Sequence, residues 1–536
     1  MTRTLMLIIF LSFMCPTWAQ RIRYSDPEYD PNRFINFEII GRFDGMINIF
    51  LNSPSQTSIN LYDNNMVLAE RVQLPFLPLV LTHVDFVSTA DRYIIFYQQV
   101  KANTAYINVA VLNGRGRLIS PPVLLDSTIL SASTIVSSQN TPTDQEWNAI
   151  IANSFPSEKS QFVPAYAVLK SDDRKKIMLL QASRPKQDEY RLKTILLDNN
   201  LLVLEKDTLR YVAPGRDAAF TDLTLDNEGD LSFARSLRNG SEDGFKQATL
   251  IQKIHGEDSL HYIDLPLGDV TLDGLKIRAD NVHQRIILSS FYYGPGKYNI
   301  TGLYSLLWDK KRQQQSASSF IPISENIRLE ARSNFDAPER VINDFYLRQI
   351  YPLNDGGYLV MAELCSTYSR FSALRKRSDP ISGSGSRIFT PPLSYWQFIP
   401  RDKAGLWFDR TRSPYLTGEQ YTDNILLLFL DSKGSLNSAK VIHKSEFDQT
   451  ENMTLSYQVC SPQGIQRVYF NELTKGISVL QSISIGTDLS LREDPIMHDQ
   501  NKNHKFMPRY MKQVGPNSLV IPCLDRKSLA FALVEY

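Results

Sequence analysis

The chain has 536 residues, with 58 Lys plus Arg against 57 Asp plus Glu, 43% hydrophobic residues and 4 Cys. This composition is too apolar for a disordered chain and too poor in Cys for a disulfide scaffold, and its balanced charge argues against nucleic acid as the main partner. Length alone would suggest roughly three domains of about 150 residues, a prior that fails for repeat folds.

The chain opens on a predicted secretory signal over residues 1–19. Arg3 gives the positive start, Leu5 to Met14 a short apolar core, and Thr17 and Ala19 the small residues before a cleavage site after Ala19. The apolar core is shorter than the roughly 20 residues that span a bilayer. Lipidation at Cys15 is disfavoured, because Ser12-Phe13-Met14 lacks the small residue normally found just before a lipidated Cys. Beyond the signal the longest clean apolar run, Ile425 to Leu430, has strand length, so no transmembrane span is expected after cleavage. The expected location is secreted, periplasmic or cell-surface associated.

From residue 37 onward two patterns recur. In the first, two apolar or aromatic residues precede Asp or Asn and a turn: Leu61-Tyr-Asp-Asn-Asn65, Val111-Leu-Asn-Gly-Arg115, Leu196-Leu-Asp-Asn-Asn200, Leu306-Leu-Trp-Asp-Lys310 and Phe429-Leu-Asp-Ser-Lys433. Each follows an alternating segment, the period of a half-buried strand entering a tight turn. In the second, a polar or Gly-containing turn precedes a strongly β-prone run, as at Asp44-Gly45 before Met46 to Phe50 and Asp355-Gly-Gly357 before Tyr358 to Met361. Turns of this second kind centre on residues 44, 91, 173, 228, 282, 355, 463 and 516, with steps of 47, 82, 55, 54, 73, 108 and 53.

A recurring unit of about 50 residues holding several short antiparallel strands has the size of a propeller blade. A single small sheet cannot bury both faces, whereas blades stacked around an axis bury each other's, which lets one domain run this long. The sequence therefore predicts an all-β fold, one β-propeller over residues 20–536, eight-bladed with seven as the alternative count; tandem sandwiches are the rival architecture. The last unit ends one strand short, at Ser528 to Tyr536. Closure would need a strand from within Gln20 to Asn36.

Three insertions account for the long steps. Residues 126–162 are rich in Ser, Thr, Pro and Gln. Residues 324–344 contain the best helical patch, with Ser324 as N-cap and Ile327 and Ala331 on one face. Residues 365–422 concentrate aromatic and cationic side chains, and loops on a rigid scaffold are where function usually resides. Tyr395, Trp396, Arg401, Trp407 and Arg410 are the candidate ligand-binding residues there, because exposed aromatic faces bind sugar rings or partner side chains and Arg forks onto carboxylates. The competing expectation is that these aromatics form a small satellite core.

No catalytic constellation emerges, and no metal or other cofactor is expected. His-Glu-x-x-His and Gly-x-Ser-x-Gly are missing, and Gly294-Pro-Gly-Lys297 departs from a phosphate loop at Tyr298. His498 and His504 read as solvated. Asp222, Asp226, Glu228 and Asp230 surround Gly229 in an order that suits a hairpin turn better than a cation loop. Cys365, Cys460 and Cys523 read as buried small hydrophobes, with one disulfide plus a free thiol as the alternative.

The strand runs Asn354-Asp-Gly-Gly-Tyr-Leu-Val-Met361 and Asn424-Ile-Leu-Leu-Leu-Phe-Leu-Asp-Ser-Lys-Gly434 resemble those of secreted β-propeller proteins of Gram-negative bacterial envelopes. The resemblance is one of pattern over residues 37–536 and carries no functional residue. The signal, the repeat and the lack of a catalytic constellation together point to a binding or scaffold protein that does no chemistry, whose partner is a protein or glycan of the cell envelope. The alternative is a carbohydrate-active hydrolase or lyase with acidic residues at the propeller channel, a pair that sequence spacing cannot reveal.

Overall fold

A computed structural model describes residues 21–30, 36–52, 56–78, 83–102, 104–130, 134–135, 165–186, 189–212, 218–221, 223–238, 244–297, 299–333, 342–369, 418–448, 454–474, 477–494, 504–525 and 528–536. The chain folds as an all-β propeller whose described strands form seven antiparallel sheets of four to ten strands, which divide, in chain order, into eight successive units of four strand positions each. The innermost strands, in unit order, are Asn36–Phe43, His83–Ser88, Ala167–Lys170, Thr224–Leu225, Lys276–Asp280, Phe345–Pro352, Gln458–Cys460 and Lys512–Gly515. Units three, four, five and eight each add a short second piece to that inner position. Several neighbouring inner strands touch one another around the axis, whereas outer strands such as Leu118–Ile129 and Gln314–Pro322 are largely exposed.

Eight apolar clusters explain why the ring holds together. Each lies between two successive units, and the last joins the eighth unit to the first through Phe37, Ile49, Val520 and Phe531. Strand alternation supplies both faces. In Tyr358–Ser369, Tyr358, Val360 and Ala362 pack toward unit five while Leu359 and Met361 pack toward unit seven. Both faces of the inner strands are thus apolar, which is why runs such as Ile425 to Leu430 show no polar alternation. Each fully buried Leu or Ile contributes about 1.5–3 kcal/mol. Cys365, Cys460 and Cys523 are buried and form no disulfide with one another, and Cys365 Sγ accepts a hydrogen bond from Arg348 at 2.6 Å. Among the described residues no helix is long and apolar enough to cross a membrane.

The two sequence patterns are the two kinds of turn inside a unit. The eight turn centres fall between first and second strands, and the Asp/Asn pattern between third and fourth. Its chemistry is local. Asp63, Asp198 and Asp431 each accept, on one carboxylate oxygen, the backbone N–H two and four residues on, and Asn113 does the same with its amide oxygen. The residue three positions on takes a left-handed conformation: Met66, Gly116, Leu201 and Gly434. Asp198→Ala should cost about 1 kcal/mol in urea unfolding, while Asp198→Asn should be nearly neutral because Asn113 already does this work in unit two. Equal losses from both substitutions would show that the carboxylate charge, and not the accepted hydrogen bonds, holds the turn.

The ring closes as anticipated. Arg21–Tyr24 pairs antiparallel with Ser528–Glu535 as the fourth strand of unit eight, with Ile22 opposite Val534. The predicted helix is Glu325–Ala331. The Ser324 side chain accepts from Ile327 N, Ala331 is fully buried and Ile327 packs against the same cluster.

Candidate functional site: the insertion face

Because neighbouring strands run in opposite directions, first-to-second and third-to-fourth turns lie on one face of the ring. Second-to-third turns and the connections between units lie on the other. All the Asp and Asn turns are therefore on the first face, and all three insertions open on the second. The insertions join units two and three, units five and six, and the middle strands of unit six.

Their boundaries differ from the compositional ones. Residues 126–129 continue the strand Leu118–Ile129, where Asp126 stands opposite Ile107 and accepts a hydrogen bond from the Tyr166 hydroxyl at 2.8 Å. Pairing also persists through Cys365 opposite Thr422 to Ser369 opposite Gly418. Ladder hydrogen bonds extend past the point at which the composition turns polar, so the two insertions are shorter than composition suggests. The candidate residues Tyr395, Trp396, Arg401, Trp407 and Arg410 lie outside the described residues, as does His498. His504 lies in the strand His504–Phe506, stacked on Tyr24 at 4.6 Å.

Beneath the root of the unit-six insertion sits a sealed ionic network that the motif search did not find. Lys444, just past the outer strand Leu436–Ile442, donates to Glu446 at 2.7 Å and lies 2.9 Å from Glu363. Arg348 Nε donates to Glu363 at 3.1 Å and Ser456 Oγ does so at 2.7 Å. Glu446 also accepts from the Ser456 and Asn471 backbone N–H groups at 2.6 and 2.9 Å and from the Thr422 hydroxyl. Lys444 and Glu363 have no exposed side-chain surface, and Arg348 keeps 9%.

Two cations face two carboxylates, so the charge closes locally. Burial opposes the charged form of Glu363, yet Lys444 and Arg348 outweigh it and hold this carboxyl below the ordinary range. Burial dominates at Glu446 and pushes it up. For Lys444 the two carboxylates overcome burial and raise it. The partners come from units six and seven and from the connection between them. The network therefore fixes the frame from which residues 370–417 emerge. One sequence signal could have found it: Glu363 interrupts the apolar run Tyr358 to Cys365.

The acidic turn of unit four resolves as a structural device. Asp226 accepts from the backbone N–H groups of Glu228, Gly229 and Asp230 on one oxygen and from Lys310 on the other. Lys310 also reaches Glu228 at 2.6 Å and Asp230 at 3.0 Å. An ammonium from unit five thus stands where a cation would bind. Burial, then the Asp230 charge, raises Asp226. Among the described residues the two carboxylates with raised affinity for a proton, Asp226 and Glu446, are both buried and ion-paired. On the innermost strands Glu38 lies 3.6 Å from Lys512.

No family model matches the chain, and no curated protein matches it. Among solved structures it is similar to the WD40 domain of SCAP from fission yeast, at 10% identity and a TM-score of 0.39, covering 96% of this chain and 98% of that one. It is similar to an ulvan lyase of a polysaccharide lyase family at 10% identity and a TM-score of 0.36, covering 83% and 90% respectively. A third similarity, to prolyl oligopeptidase B from Galerina marginata, has 7% identity and a TM-score of 0.39 and covers 94% of this chain and 56% of that one. No residue role transfers at such identities.

Proposed function

We propose that this protein is a secreted or periplasmic binding propeller of eight blades that captures a protein or glycan of the cell envelope on its insertion face. One observation carries the reading: every insertion opens on the same face, while the opposite face is finished by short, side-chain-locked turns. A ring whose loops grow on one side only has a rigid back and a variable front, the arrangement in which loops recognise a partner. Tyr395, Trp396, Arg401, Trp407 and Arg410 belong to the largest of these insertions and carry the contact chemistry. The start of the chain, Arg3 to Ala19, supports export.

The test uses two changes. Trp396→Ala with Trp407→Ala should abolish capture in pull-down and glycan-array experiments and leave the melting temperature nearly unchanged. Excising residues 370–417 and joining Ser369 to Gly418 through a two-residue turn should do the same, because these residues already stand opposite each other in the ladder. Unaltered capture in both variants would move the site elsewhere. A large fall in melting temperature with the Trp pair would show a satellite core. Cleavage of an arrayed glycan would replace the binding reading with the enzymatic one.

A further inference from the structure

The outer strand of a unit ends its sheet, so among the described residues one row of its backbone N–H and C=O groups has no strand to pair with. These edges differ in what they can receive. Val203–Val212 of unit three runs ten residues without Pro and pairs in unbroken register with the preceding strand from Glu205 to Val212. Among the described outer strands only Leu118–Ile129 is longer, and Pro121 and Pro122 remove two of its donors.

Strand alternation sorts the side chains of this edge by charge. Lys206, Thr208, Arg210 and Val212 are exposed, and they share a face with Arg191 and Lys193, because Arg191 stands opposite Arg210 and Lys193 opposite Thr208. Two carboxylates neutralise part of the row. Glu189 meets Arg191 at 3.3 Å and Arg210 at 3.1 Å, and Asp126 of unit two meets Lys193 at 2.5 Å and Lys206 at 3.7 Å. Four cations thus share two carboxylates, and exposure widens the imbalance: Arg191, Arg210 and Lys206 keep 59%, 66% and 53% of their side chains accessible, Glu189 and Asp126 only 8% and 9%. On the other face Glu205 and Asp207 are met by the buried Lys253 of unit four at 2.8 and 3.2 Å. Leu209 and Tyr211 are buried there, and the half-exposed Tyr262 of unit four stacks on Tyr211 at 5.7 Å.

Like charges beside one another destabilise a sheet. Antiparallel pairing of two copies through this edge would set one row of Lys206 and Arg210 against another on the same face, so the edge repels its own kind. An acidic strand meets the opposite condition. We propose that the outer edge of Val203–Val212 receives an extended acidic segment of a partner protein, which adds a strand to unit three. Main-chain hydrogen bonds would supply affinity, Asp or Glu at every second position would meet Lys206 and Arg210, and the apolar residues between them would lie on the side of Tyr262. The edge is on the rim of the ring and uses none of residues 370–417, so it stands or falls apart from the site proposed above.

Fluorescence anisotropy of a labelled peptide of about ten residues, Glu alternating with Val and Tyr, tests this on the intact protein. Wild type should bind the peptide, and added salt should weaken the binding. Lys206→Gln with Arg210→Gln should weaken it about tenfold or more at a nearly unchanged melting temperature, because Arg191 still meets Glu189 and Lys193 still meets Asp126. Lys440→Gln, on the outer strand of unit six, should leave the affinity as it was. The same peptide N-methylated at alternate residues cannot add as a strand and should bind about tenfold more weakly or worse. Equal binding of the two peptides would reduce the edge to a patch of cations and overturn strand addition. So would a wild type that binds neither peptide, or a double variant that binds as wild type does. Self-association abolished by the double variant, with no peptide bound, would make a second copy the occupant and overturn the proposal too.

Discussion

Lys444→Met should lower the unfolding free energy by about 3–5 kcal/mol, the loss expected when one member of a sealed ion network is removed. The cost comes from what stays behind. Glu363 and Glu446 would remain buried around the gap left by the ammonium, with Arg348 the only cation, and a buried carboxylate without compensation is far costlier than a lost surface pair. A double variant, Lys444→Met with Glu446→Gln, removes one charge of each sign, leaves Arg348 paired with Glu363 and should recover much of the loss. Guanidinium unfolding midpoints of the two variants make the comparison, and a single variant within about 1 kcal/mol of wild type would mean that water reaches the network.

The pH dependence follows from the signs. Glu363, held low, contributes stability that is present above the unfolded carboxylate range and lost as the pH falls through its folded value. Lys444, held high, contributes stability that is present below its unfolded value and lost as the pH rises through its folded one. Both contributions are therefore intact at neutral pH. Glu446, pushed up, acts in the opposite sense, because its protonation on acidification relieves a penalty. The acid limb of the wild-type stability curve should be shallower than Glu363 alone would make it.

What could be read from the sequence follows from how local each interaction is. Asp63, Asn113, Asp198 and Asp431 announce their turns because their hydrogen-bond partners lie two and four residues away. Ser324 announces the helix for the same reason. The closing strand was legible by a different route: Ser528 to Tyr536 ends a unit one strand short, and a propeller edge needs a partner. The ionic network was hidden because its members, from Arg348 to Asn471, meet only through the stacking of two units. Insertion ends were misplaced at residues 126 and 365 because composition changes before strand pairing stops.

Removing residues 20–30 should leave the protein prone to self-association through the strand it uncovers. Ile22 and Tyr24 pack into the cluster between units seven and eight, and Ser25 exchanges two hydrogen bonds with Phe531, its N–H donating to the carbonyl at 2.9 Å and its Oγ accepting from the N–H at 3.0 Å. Arg23 meets Glu535 at 2.5 Å, and Glu28 pairs with Arg71 of unit one, so the segment ties the two ends of the ring together. Without it, Ser528–Glu535 becomes an edge strand of eight residues carrying Leu529, Phe531 and Leu533, with one charge at its end. A long, flat, apolar edge is a template for pairing with another chain. Size-exclusion chromatography should show aggregates, and a synthetic peptide of residues 20–30 added during refolding should restore the elution of the intact chain by strand addition. Ser25→Ala, which keeps the strand and removes the side-chain acceptor, should cost only about 1–2 kcal/mol. If the shortened chain elutes as the intact one does, with an unchanged melting temperature, the ring does not depend on its closing strand. The eight interfaces, the one between units eight and one included, would then hold the ring without it.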